Sequence, residues 1–212
     1  MKNYGKITTI LIIAWFVFAL TASALHLFEN NVNRVGVAVG LAALAPVIAF
    51  SLWFASSTKF RQFAMSLNPQ VLTLVQSWRI IGFTFVLLEA RGVLPAIFAW
   101  PAGYGDMAVG LTATFAAWKL ANPNRRSSFI RWQLLGIADL ITAVSLGTTA
   151  GLISPHSTSM GAMTVLPLSL VPTFFVPLFL IFHVICIAQA RKWKTAPGDA
   201  DLNMKAVPHP AV

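Results

Sequence analysis

Long apolar runs, joined by connections that are alternately basic and poor in charge, constrain this chain more than any other feature. Six runs, at about residues 7–27, 35–56, 72–92, 102–120, 131–151 and 166–189, are each long enough to cross a bilayer as a helix. Twelve of the fifteen Lys and Arg fall beside every second connection: Lys2, Lys6, Lys59, Arg61, Lys119, Arg125, Arg126, Arg131, Arg191, Lys192, Lys194 and Lys205. Arg34 and Arg91 are left for the other side, and Arg79 lies within the third run. The positive-inside rule therefore expects both termini in the cytoplasm of a bacterial-type inner membrane. Charged residues make up 10% of the chain and apolar residues 57%, which excludes an ordinary soluble core. The net charge of +9 does not point to nucleic acid, because the basic residues mark one side of a membrane and form no patch with interleaved aromatics.

The expected fold is all-α, a bundle of six transmembrane helices over residues 1–192 followed by an unstructured cytoplasmic tail over 193–212. Lys2 and Lys6 precede a run ending in Ala22-Ser23-Ala24, which resembles a signal-peptidase site, but the run is long enough to remain as a first span. Between the second and third spans, Phe60, Phe63, Ala64 and Leu67 recur at helical spacing opposite Lys59, Arg61, Gln62 and Ser66, until Asn68-Pro69 ends the pattern. That predicts a short helix on the cytoplasmic membrane surface. Gly36 and Gly40 have the spacing of close helix packing.

Two segments on the outer side are expected to break. Residues 92–105, before the fourth helix, hold two prolines and three glycines, and residues 151–177, leading into the sixth, hold Pro155, Pro167, Pro172 and Pro177. Each interior proline frees a backbone carbonyl, and in hydrocarbon such a group must find a partner or a wet cavity.

Ionisable residues inside spans cost about 2.5–3.5 kcal/mol each on insertion scales, so they mark partners or a path. Arg79, Asp106, Asp139 and His183 qualify. By helical rise, Arg79, Asp139 and His183 share a layer about 9–12 Å from the cytoplasmic side. An Arg79–Asp139 pair would cancel both desolvation costs, and His183, with an unperturbed pKa of about 6.5, could carry a proton. The alternative is a static salt bridge between spans three and five. Asp106 is expected apart from that layer, near the outer face, where it could cap the fourth helix or hold a cation. His26, Glu29, Glu89 and Arg91 form an outer rim.

The string Gly103-Tyr104-Gly105-Asp106 resembles the G-x-G-D element of intramembrane aspartyl proteases such as presenilin-like and prepilin peptidases. The resemblance covers four residues and implies an aspartate dyad whose partner would be Asp139. The order of the two aspartates is reversed, and the Pro-Ala-Leu element is missing. His26 and His183 sit near opposite faces, so one haem iron could not take both. No metal, cofactor or catalytic residue is assigned, and Cys186 has no disulfide partner.

The leading functional reading is a small-solute or ion permease, with proton coupling through Arg79, Asp106, Asp139 and His183. The expected partners are the lipid bilayer and a small polar solute or ion. A non-catalytic membrane subunit or scaffold is the second reading, and an intramembrane enzyme using Asp106 and Asp139 is the remote one.

Overall fold

A computed structural model describes residues 2–29, 37–153 and 160–193. The expected tail beyond Trp193 lies outside the described residues, as do Pro155, His156, Arg34 and Gly36, and with the tail Lys194 and Lys205. The described chain is helical throughout, with no strands among the described residues. Helix α1 covers Lys2–Ala24 and α2 covers Val37–Ser56. The short α3 spans Thr58–Met65. The third long helix is a composite: α4 (Pro69–Leu74), a 3-10 stretch (Val75–Gly82) and α5 (Phe83–Ala90). Helix α6 (Ala96–Phe115) ends in a π turn (Ala116–Leu120), and α7 runs from Arg126 to Ile153. A 3-10 turn (Met160–Thr164) and a π turn (Val171–Phe175) lead into α8 (Val176–Lys192).

Among the described residues, five helical segments are long and apolar enough to cross a membrane: Asn3–Ala24, Ala38–Ser56, Pro69–Ala90, Pro123–Ala150 and Val171–Lys192. Leu41, Leu44, Ile48 and Leu52 of α2 and Ile10, Leu11, Ile13 and Val17 of α1 are exposed, an apolar surface of the extent that a membrane covers. Helix α6 is long but is not among these five, and Pro101, Gly103, Tyr104, Gly105 and Asp106 interrupt its hydrophobic sequence. It packs along the composite helix and α7, and α1 and α2 lie at the periphery beside α3, α8 and the π turn. One face of α6 and its terminal π turn is apolar and exposed, with Ile97, Trp100, Leu111, Phe115 and Trp118. The opposite face is built of small residues, Ala99, Ala102, Gly103, Gly110, Ala113, Ala116 and Ala117, which let neighbouring helices approach closely.

The first expected break is corrected. The chain turns at Gly92, which has a φ of 71°, and α6 then runs unbroken through Pro101 and both glycines of Gly103-Tyr104-Gly105. Pro101 falls in the second turn, where it frees only one carbonyl, and the glycines serve helix approach instead of chain reversal. A Cβ on Gly103 would meet the Val86 side chain and the Gly82 carbonyl, and one on Gly110 would meet the Ile80 backbone. Asp106 is accordingly in mid-helix and does not cap α6.

The second interruption is present, and the structure repairs it. Pro177 cannot donate to Thr173 O, and the indole Nε1 of Trp15 donates to that carbonyl at 3.1 Å. Ser169 donates to Ser23 at 2.8 Å in a buried contact, and the Phe174 ring lies 4.8 Å from that of Trp15 and 5.0 Å from that of Phe16.

The expected surface helix is α3. Ser57 accepts from Phe60 N at its start, and at its end Gln189 Nε2 of α8 reaches Ala64 O, Met65 O and Leu67 O at 3.2, 3.4 and 2.8 Å. Phe60 stacks on Trp53 with ring centroids 3.9 Å apart. Basic residues here do more than set charge. Arg61 donates to Phe54 O and Ala55 O at the end of α2, and Arg126 donates to Arg191 O near the end of α8, where carbonyls lack helical partners. Tyr4 packs on Phe63, so the start of α1, the α2–α3 junction and the end of α8 gather at one end of the bundle, here termed the basic face.

Gly36 being outside the described residues, the pairing with Gly40 is not seen. Gly40 has nothing among the described residues within 4 Å of the position a Cβ would take, so none of them packs tightly against it.

Candidate functional site

The site begins with the winding of the composite helix. A 3-10 helix has about three residues per turn, so positions three apart eclipse. Gln76, Arg79 and Gly82 therefore share one face, and Thr73 and Phe85 continue the same spacing into the flanking α-helices; all five are buried. Runs of 3-10 helix rarely exceed about four residues. This one lasts eight.

Arg79 is 3% exposed and takes ligands from three helices. Its Nε donates to Asp106 Oδ1 of α6 at 2.6 Å, and its Nη2 donates to Asp139 Oδ2 of α7 in a shorter contact. Its Nη1 lies 3.4 Å from both Gly136 O and His183 Nε2. Arginine can only donate, so His183 accepts at Nε2 and carries its proton on Nδ1, which donates to Gln133 Oε1 at 2.5 Å. Gln133 Nε2 then donates to Thr73 Oγ1 at 3.0 Å, and Thr73 lies 3.8 Å from Cys186 Sγ. Gln76 Nε2 donates to Phe179 O at 3.3 Å, while its Oε1 is buried with no partner among the described residues.

Glycines make room for this network. A Cβ on Gly105 would fall on the Asp139 carboxylate, one on Gly82 on Asp106, and one on Gly136 on the His183 ring. The Gly103-Tyr104-Gly105-Asp106 string is thereby explained by packing: one glycine admits the composite helix, the other admits Asp139.

The four residues singled out from sequence come together. Arg79 pairs with Asp139 as expected, and His183 adjoins them. The expectation that Asp106 stands apart is corrected: starting α6 at Ala96 lowers Asp106 into the same layer, where it is the second carboxylate on Arg79. The rim residues do not join. His26 pairs with Glu29 at 2.5 Å, and Glu89 and exposed Arg91 flank the Gly92 turn. Sequence reasoning missed the neutral residues Thr73, Gln76, Gln133 and Gln189, all buried. The signal for Thr73 and Gln76 was the spacing of three through 73, 76, 79, 82 and 85, while Gln133 and Gln189, on α7 and α8, had no such signal.

The layer carries one cation against two carboxylates, an excess of one negative charge when both are ionised. Apolar groups bound it on either side along the helices: Leu72, Phe129, Leu120 and Cys186 toward the basic face, Phe85, Phe98 and Met163 toward the other. On that second side a cavity of about 330 Å³ extends among α2, α5, α6, α7 and the segments before α8. Its walls include Gly40, Phe85, Phe98, Leu140 and Met163, and Asp106 is the one charged residue among the described lining residues. Each carboxylate side chain is 16% exposed, whereas that of Arg79 is 1% exposed.

Fold and site together define a helical membrane protein with a buried three-charge cluster beside an apolar cavity. The chain belongs to the family described as Domain of unknown function (DUF8737), whose model matches residues 32–191. That match takes in every member of the cluster. No curated protein and no solved structure matched the chain.

Proposed function

We propose that the protein is a six-span inner-membrane permease for a small solute or ion, with both termini in the cytoplasm and proton coupling through the Arg79 cluster. The observation that carries this reading is the cavity remote from the basic face, which reaches the Asp106 carboxylate. An ionisable group in a membrane interior that is also reachable from a cavity is the usual mark of a path. The excess negative charge of the layer can be neutralised by a proton or by a bound cation, which couples the two. Taking Ala96–Leu120 as the sixth span agrees with the gathering of basic segments at one end.

The scaffold reading draws on α2, none of whose most apolar stretch is buried within the chain, leaving a face for a partner helix. The protease-like reading is disfavoured, because Arg79 stands between Asp106 and Asp139 and bonds to both, where a dyad would share a proton directly.

Purified protein in liposomes loaded with a pH-sensitive dye tests the permease. Addition of the right member of a solute panel should dissipate or create a proton gradient, and Asp106→Asn should abolish the response. Solute flux that is indifferent to Asp106→Asn would remove the proposed path. Orientation is read separately, by reacting Ser66→Cys and Asn124→Cys, each in a Cys186→Ala background, with a membrane-impermeant thiol reagent. Labelling in intact cells would reverse the assigned topology.

A further inference from the structure

We propose that the cavity binds a small organic cation with an apolar body, of the size and chemistry of an arylalkylamine, its ammonium group on Asp106. The inference rests on reading this cavity as the solute site, and it names the solute's class.

Three observations converge. The cavity, at about 330 Å³, falls at the small end of the range for ligand pockets, and its walls are largely aliphatic, aromatic and thioether groups. Such walls favour an apolar body and reject a hydrated inorganic ion, which would lose its water to Phe85, Phe98, Leu140 and Met163 without replacement.

The polar end selects sign. An anion would need Arg79, but every nitrogen of that guanidinium is already bonded and the side chain is 1% exposed. Asp106 is the group that can be reached. It lines the cavity, its Oδ1 receives Arg79, and its Oδ2 has no hydrogen-bond partner among the described residues and is free to accept. A ligand that donates a hydrogen bond and carries a positive charge there also neutralises the excess charge of the layer.

Gly40 supplies an independent handle. It lines the cavity far from the charges in sequence, and nothing among the described residues occupies the space where its Cβ would stand. A larger side chain at this position can enter the cavity without displacing a neighbour at the point of attachment.

The test uses full-length protein in nanodiscs and isothermal titration with 2-phenylethylamine and its uncharged isostere 2-phenylethanol. The amine should bind about tenfold or more tighter than the alcohol, the usual scale of one charge-assisted hydrogen bond. Asp106→Asn should erase that preference. Gly40→Leu should weaken the amine by about tenfold or more while the protein elutes and melts as the parent does. Equal affinity for the two probes, binding of neither because an acyl chain fills the space, or amine binding unmoved by Gly40→Leu would each overturn the inference. Amine binding with no flux in liposomes leaves this assignment standing and removes the permease. Flux of another solute with which the amine does not compete does the reverse.

Discussion

Replacing Arg79 by Leu should destabilise the protein far more than replacing either of its partners by Asn, and the reason is the charge count. With two carboxylates on one guanidinium, removing one carboxylate leaves a balanced pair. Asn at 106 or 139 also keeps a carbonyl oxygen for Arg79, so each single variant should cost no more than about 1 kcal/mol. Removing Arg79 strands two carboxylates, each 16% exposed, with no cation in the layer. Breaking a buried pair by deleting one partner costs about 3–5 kcal/mol. Leu inserts into hydrocarbon more readily than Arg, so a net loss would appear despite that gain. At about 2–4 °C per kcal/mol for a chain of this size, Arg79→Leu should lower the melting temperature by roughly 6–20 °C and each Asn variant by less than about 4 °C. Tryptophan fluorescence during heating in detergent reads the shift, and an equilibrium SDS titration checks that it is thermodynamic. The triple variant Arg79→Leu, Asp106→Asn, Asp139→Asn should recover a large part of the loss. If either Asn variant falls as far as Arg79→Leu, or if Arg79→Leu costs less than about 1 kcal/mol, the one-against-two arrangement is wrong.

Trp15→Phe should cost about 1 kcal/mol through the unpaired Thr173 carbonyl, and the cost should vanish in a Pro177→Ala background whose restored N–H takes that oxygen; a double-mutant cycle of SDS titrations measures the coupling. Gly136→Ala should destabilise by about 1–3 kcal/mol because its methyl group displaces the His183 ring, whereas Gly40→Ala should be neutral or stabilising by up to about 1 kcal/mol; melting temperatures of the two compared with the parent decide it. Gln189→Leu should accelerate amide exchange over residues 58–67 by about fivefold, the equivalent of about 1 kcal/mol of local stability, and exchange elsewhere should hold; hydrogen exchange with mass spectrometry reads both.

The helical architecture was readable because charge and apolar length are one-dimensional properties. Arg79 and Asp139 met as expected, since helical rise alone places both at one depth. Asp106 was misplaced for an instructive reason. Pro101, Gly103 and Gly105 read as chain breakers, as they would be in a water-exposed segment, but within a packed bundle an open backbone costs more than one hydrogen bond lost at a proline, and α6 stays wound. The same glycines could have been read as contact points had their partners been known, yet Gly82, Val86 and Asp139 come from other helices and no local pattern links them. Thr73, Gln76 and Gln133 went unnoticed because a search for charge passes over amides and hydroxyls. The spacing of three that aligns Thr73 and Gln76 with Arg79 is visible in sequence, but it acquires meaning only with the 3-10 winding.

The repair of the Pro177 break has a consequence for the order of assembly. Trp15 and Ser23 fasten α1 to Thr173 and Ser169, residues that leave the ribosome some 150 positions later. While the chain is being made, α1 must therefore wait in the bilayer with neither anchor formed. An early helix is thus among the last to be locked, and the segment that locks it is the one whose prolines would otherwise leave an unpaired carbonyl in lipid. Each supplies what the other lacks, so fastening of α1 coincides with the arrival of α8.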